Sequence, residues 1–297
     1  MILVTGVNGQ LGYDVVKVLN ERNIECLGID RDELDITDKE AVNEYIIKLK
    51  PEAVIHCAAY TAVDKAEDEE AVCIKVNVDG TKNIAKACKE IDAKMIYIST
   101  DYVFSGLGDK EFEIDGDINP HSVYGKTKYE GELEVKEILD KYFIVRISWV
   151  FGINGNNFVK TMLRLGKEKD SLNVVCDQIG SPTYTADLAP ILCDMVVGEK
   201  YGVYHATNEG FCSWAEFAQE IMKQSGLSCT INPIPTNEYP TKAERPLNSR
   251  MSKKKLVENE FSVLPEWKDA LNRYLEEINY SKNWREIKIW VIKELLN

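Results

Sequence analysis

Tyr124 and Lys128 stand four residues apart, so any helix that carries them presents both on one face. A free phenol, with a pKa of about 10, relays protons poorly near neutral pH; an ammonium held beneath it favours the ionised form and brings it toward the working range. Upstream lie Ser99-Thr100-Asp101 and, at the start of the chain, Gly6, Gly9 and Gly12. The chemistry these residues share is reduction of a carbonyl, in which a hydride reaches carbon while a proton reaches oxygen. An isolated Tyr-x-x-x-Lys is usually a pair of neighbours on a solvated helix. Its company here points instead to a nicotinamide-dependent reductase.

The glycine series falls between an apolar run and a helix-period segment, where the chain backbone can approach a pyrophosphate seated over a helix N-terminus. Each glycine is three residues from the next, unlike the Gly-x-Gly-x-x-Gly fingerprint of many dehydrogenases, and glycines after a strand also serve plain turns. Asp30 follows the second apolar run at a distance suited to accepting hydrogen bonds from the adenosine ribose, which favours NADH. Arg31 beside it could pair with a 2'-phosphate, so NADPH stays open, and an Asp at a strand end is also a common turn cap.

These residues need a scaffold. Short apolar runs alternate with helical periods through the first half, predicting βαβ units and a parallel sheet. Strands are expected at Ile2 to Thr5, Glu25 to Ile29, Ala53 to Cys57, Lys94 to Ser99 and Phe143 to Ile147. Helices are expected at Gln10 to Glu21, Lys39 to Lys50, Glu69 to Ile91 and Ser122 to Lys141. Each motif then sits just after a strand or on the following helix, where such folds bind ligands. Beyond residue 150 the pattern loosens around Gly, Pro and Asn clusters, with helices expected at Asn157 to Lys167, Ala186 to Val197, Ser213 to Gln224 and Pro265 to Glu277. The expected fold is α/β: a Rossmann-like, doubly wound parallel sheet at 1–150, with later segments returning to it, and a smaller α/β substrate-binding lobe at 151–297. That lobe ends in a helical extension whose apolar face is Ile287, Trp290, Val291 and Leu295.

Composition narrows the partners. The chain has 297 residues, 44% hydrophobic and 29% charged, ordinary values for a soluble protein. No apolar run approaches the roughly 18 residues a membrane helix needs, and no basic segment precedes Ile2-Leu3-Val4, so a cytoplasmic protein without a secretory signal is expected. A net charge of -13 argues against nucleic acid, which is held by clustered Lys and Arg. The eight cysteines form no Cys-x-x-Cys pair and read as free thiols, and the three histidines form no metal motif.

Five ordered blocks carry a resemblance. They are Val4-Thr5-Gly6-x-x-Gly9-Gln10-Leu11-Gly12, Ala58 to Glu67, Ser99-Thr100-Asp101-Tyr102-Val103-Phe104, Tyr124-Gly125-Lys126-Thr127-Lys128 and Gly180-Ser181-Pro182-Thr183. Through them the chain, to about residue 278, resembles the extended short-chain dehydrogenase/reductases and within them the dTDP-4-dehydrorhamnose reductase family. The resemblance implies that Tyr124 is the proton donor, Lys128 lowers its pKa and holds the nicotinamide ribose, and Thr100 binds the substrate C4 oxygen. It places Gly6, Gly9, Gln10, Leu11 and Gly12 at the pyrophosphate, Asp30 at the ribose, Asp35 and Ile36 at the adenine, and Ala59, Tyr60 and Thr61 along the third-strand edge. A dTDP-sugar would meet Thr61, Val63, Thr100, Asp101 and Trp149. Ile36, Ala59 and Trp149 are also ordinary core types, and Arg245 and Arg250, in a Pro-containing segment, could reach a diphosphate. Some members form magnesium-binding dimers; Asp14 matches one of their acidic positions, yet no metal is predicted, and monomer and homodimer stay open. Two rivals remain: another sugar-nucleotide reductase or epimerase, and a non-catalytic module like the regulatory subunit of methionine adenosyltransferase.

Overall fold

The computed structural model describes residues 1–279; the apolar face expected at Ile287 to Leu295 lies outside the described residues. Six parallel strands form the main sheet: β1 (Ile2–Thr5), β2 (Cys26–Ile29), β3 (Ala53–His56), β4 (Lys94–Thr100), β5 (Tyr142–Ile147) and β6 (Gly202–His205). Their order is β2-β1-β3-β4-β5-β6, so strand order reverses between β1 and β3.

Alternation along the strands divides the core. Val4, Ile55, Ile96 and Val145 face α1 (Gln10–Glu21) and a later helix, Thr185–Val197, which contribute Leu11, Val15, Leu188 and Leu192. Leu3, Val54, Met95 and Ile144 face the opposite layer, α2 (Lys39–Leu49), α3 (Thr81–Glu90) and α4 (Val123–Ile138). The sheet is therefore a doubly wound, Rossmann-like one. Ser122 caps α4 by accepting from the Gly125 amide at 3.1 Å, which fixes where that helix begins.

Two expectations change in the structure, and one is made specific. The helix expected from Glu69 to Ile91 is broken into Glu70–Ile74, a π-helical stretch Lys75–Gly80, and α3. The break turns Asn77 inward, where its side chain binds both Tyr60 and Thr127. β6 was not expected, and with helix Thr185–Val197 it returns the later chain to the main sheet.

The remaining segments build a separate cluster around Phe151, Tyr184, Phe217, Trp267 and Tyr274. It holds α5 (Phe158–Glu168), a parallel pair Ser171–Val175 with Thr230–Ile234, the helix Trp214–Ser225 closed by a Ser213–Glu216 capping box, and helical residues 267–279.

Candidate active site

A cavity of about 1000 Å³ runs across the carboxyl ends of β1 to β5 and is bounded on its far side by the smaller lobe. Apart from Arg245 and Arg250, the residues assigned above to catalysis, cofactor or substrate line it: Gly6, Gly9, Gln10, Leu11, Gly12, Asp30, Asp35 and Ile36 at one end; Ala59, Tyr60, Thr61 and Val63 along its wall; Thr100, Asp101, Tyr124, Lys128 and Trp149 at the other end.

The glycine loop is dictated by close approach. Gly6 has φ +72°, and a Cβ there would sit 2.7 Å from the Ala58 amide nitrogen at the end of β3. A Cβ on Gly12 would collide with the Gly6 carbonyl. Gly9 then starts α1 with no side-chain cap and no acid in the first turn, so the first amides of that helix face the cavity uncovered. This arrangement fits a dinucleotide pyrophosphate. Asp30 takes part in the turn as well, accepting from the amides of Asn8 at 2.8 Å and Arg31 at 2.7 Å. Asp35 accepts from the amide and hydroxyl of Thr37, which hold its carboxyl below the ordinary range.

At the Tyr124 end of the cavity the close approach is again through glycine. A Cβ on Gly125 would strike the Tyr102 carbonyl, so α4 lies against the turn Asp101–Val103 with Tyr102 and Tyr124 edge to face, 5.5 Å apart. Asn77, found only in the structure, accepts from the Tyr60 amide at 2.8 Å and donates to Thr127 at 3.1 Å, tying the cavity wall to α4. Its sequence signal was a buried-face amide within an otherwise apolar helical period.

Electrostatics depart from the sequence expectation. Burial raises the Tyr124 phenol above its ordinary value, and the Thr100 hydroxyl beside it only partly opposes this. Burial also lowers Lys128 to about 7, with Glu132 the largest opposing influence. The phenol is raised rather than lowered because removing it from water outweighs its neighbours. Asp101, 2% exposed, is raised to about 6 by burial, with Ser249, Thr100 and two main-chain amides opposing.

The smaller lobe supplies a second wall. Trp149, in left-handed backbone at φ 49°, stacks on Trp214 with ring centroids 3.7 Å apart. A bulky residue in this region is strained, and such strain gathers at functional sites. Trp214 also lines the cavity and escaped the sequence reading, where it looked like an ordinary helix start. The loop at 152–157 folds onto the glycine loop: Asn154 donates to the carbonyls of Asn8 and Gly9, and Asn157 donates to Gln10 Oε1 at 3.0 Å. Arg245 and Arg250 do not line the cavity; Arg245 pairs with Asp64 at 2.7 Å and Arg250 donates to Asn248. Asp14 is buried in α1, accepting from Thr185, and among the described residues there is no group of three or more metal-ligating side chains.

Comparison with known proteins agrees with this architecture. The family described as "RmlD substrate binding domain" matches residues 1–280. The dTDP-4-dehydrorhamnose reductase of Aggregatibacter actinomycetemcomitans is 43% identical, over 91% of this chain and 96% of that protein. A crystal structure of a dTDP-4-dehydrorhamnose reductase from Clostridium acetobutylicum superposes with TM-score 0.92 at 44% identity, covering 94% of this chain and 99% of that one. Another, from Bacillus anthracis in complex with NADP, does so at 0.91 and 42%, covering 93% and 98%.

Proposed function

The chain belongs to the dTDP-4-dehydrorhamnose reductase family, and from that premise we propose that it reduces the C4 ketone of dTDP-4-dehydro-L-rhamnose to dTDP-L-rhamnose, using NADH or NADPH. The observation that carries this reading is the meeting of Thr100, Tyr124 and Lys128 in one cavity with an uncapped helix N-terminus at one end and two stacked indoles at the other.

A bound nicotinamide supplies the hydride; the chain does the rest. The amides of α1 and the glycine loop hold the pyrophosphate, and the third-strand edge from Ala59 to Thr61 lies along the cofactor. Thr100 aims its hydroxyl at the ketone oxygen. Tyr124, protonated through the neutral range because burial raises it, is in the form a proton donor needs. As it gives up that proton, the Lys128 ammonium stabilises the resulting phenolate. Trp149 and Trp214 offer flat apolar surface to the sugar and help exclude water. Among the described residues no helix is long and apolar enough to cross a membrane.

The test is loss of the reduced-nicotinamide absorbance when the protein meets NADH or NADPH and enzymatically generated dTDP-4-dehydro-L-rhamnose. Sugar-dependent oxidation yielding dTDP-L-rhamnose is expected, and Tyr124→Phe should lose about 10²- to 10⁴-fold in kcat while still binding cofactor. Oxidation absent with this sugar but present with another sugar nucleotide would move the substrate assignment.

A further inference from the structure

Lys128 has a problem that its assigned role does not solve. The residue is 2% exposed, yet the role proposed for it toward Tyr124 depends on its carrying a charge. The groups that face it from the surrounding elements do little to hold that charge. His56, on β3, is driven down to about 3 by burial and is neutral; Cys57, just beyond, is pushed up to about 12, and Cys73, from Glu70–Ile74, is raised as well. Tyr124, on its own helix, is a neutral phenol.

One carboxylate lies nearby, and it is already engaged. Glu132, one turn along α4 and fully buried, receives Arg146 through two nitrogens at 2.8 and 2.7 Å, Ser99 at 2.6 Å and Lys136 at 3.4 Å. A guanidinium paired in this two-pronged way takes up most of a carboxylate's acceptor capacity.

What Lys128 does meet is Tyr97. The ammonium lies 4.0 Å from the centre of that ring. Tyr97 is on β4, three residues before Thr100, and is wholly buried. Its hydroxyl, kept protonated by burial, donates to the Lys128 main-chain carbonyl at 3.2 Å. The fit needs Gly131 on α4, where any Cβ would collide with the Tyr97 oxygen. Resting on the reductase reading above, we propose that Tyr97 is the seat of the catalytic lysine: its ring face keeps the largely buried Lys128 ammonium charged, and its hydroxyl fixes the same residue's backbone. A cation over an aromatic face is attracted by the ring's charge distribution, the more so when it is withdrawn from water. Tyr97 touches no reacting atom and is a positioning residue.

The test separates ring from hydroxyl. Tyr97→Phe and Tyr97→Leu both lose the hydroxyl, but only the first keeps the ring. With lysine labelled at Cε, NMR titration should give Lys128 nearly the same midpoint in Tyr97→Phe as in the parent, and a midpoint lower by roughly one pH unit in Tyr97→Leu. The alkaline limb of kcat should move down equally, with KM for the sugar little changed. If Tyr97→Leu does not fold, pentafluorophenylalanine at position 97 keeps the shape and reverses the ring's charge distribution; it should lower the midpoint relative to Tyr97→Phe. Equal midpoints for ring-bearing, ringless and fluorinated variants would overturn the proposal. Because the titration needs no substrate, it stands apart from the sugar assay: a protein that fails to reduce the sugar yet shows the ring effect would sink the function and leave the seat.

Discussion

Asp101 is held at a cost, and the cost can be measured. Its carboxyl is raised by burial to about 6 from 3.8, so the folded protein holds that proton more tightly than the unfolded chain does. A raised folded value contributes stability that is complete below the unfolded value and gone above the folded one. Above about pH 6 the chain therefore carries a buried carboxylate worth on the order of 2–3 kcal/mol against folding. Asp101→Asn should melt like the parent near about pH 4 and roughly 5 °C higher near about pH 8, while sugar reduction falls. A melting difference that stays constant across that range would refute the argument. At this scale the sequence was legible where partners are close along the chain or share a motif: Tyr124 and Lys128, four residues apart on α4, line the same cavity as Thr100. It was silent where the deciding neighbour is remote. Arg245 looked available to a phosphate because Asp64, its partner, is 181 residues away.

Among the elements, α4, which carries Tyr124 and Lys128, lies against its neighbours through glycines. Gly125→Ala offers a clear sign test. In an open helix the change would stabilise by about 1 kcal/mol through backbone propensity. Here the new methyl meets the Tyr102 carbonyl, so the helix must shift. The variant should lose about 1–3 kcal/mol of stability and on the order of 10- to 100-fold in kcat, read by denaturant unfolding and steady-state rates. Unchanged stability and rate would show that the approach is looser than described. The strands β1 to β5 were readable within about a residue because each is a compact apolar run. β6 was not, since Gly202–His205 is short and its partner β5 begins 60 residues earlier, Gly202 against Phe143. The π-helical stretch was equally hidden: apolar residues recur on both sides of it, and a local change in hydrogen-bond step leaves no compositional mark.

For the whole molecule, the smaller lobe also grips the cofactor half. Asn154 reaches the carbonyls of Asn8 and Gly9 from the loop at 152–157, and Lys160 braces that loop by donating to Ile153 and Gly155 at 2.6 Å. Removing Asn154 should loosen the glycine loop from across the cleft. Asn154→Ala is expected to raise the dinucleotide dissociation constant about 3- to 10-fold by calorimetry, with the melting temperature nearly unchanged. An unaltered constant would mean that the contact is incidental. The return of Thr185–Val197 and β6 to the main sheet has a consequence for inheritance as well as for folding. Cutting after β5 would strip one sheet edge of its last strand and one sheet face of Leu188, Ile191 and Leu192. The main-sheet portion and the smaller lobe are thus interleaved along the chain rather than laid end to end. A single crossover between two such genes within this region would transfer neither portion whole, so the two are inherited together rather than exchanged as modules.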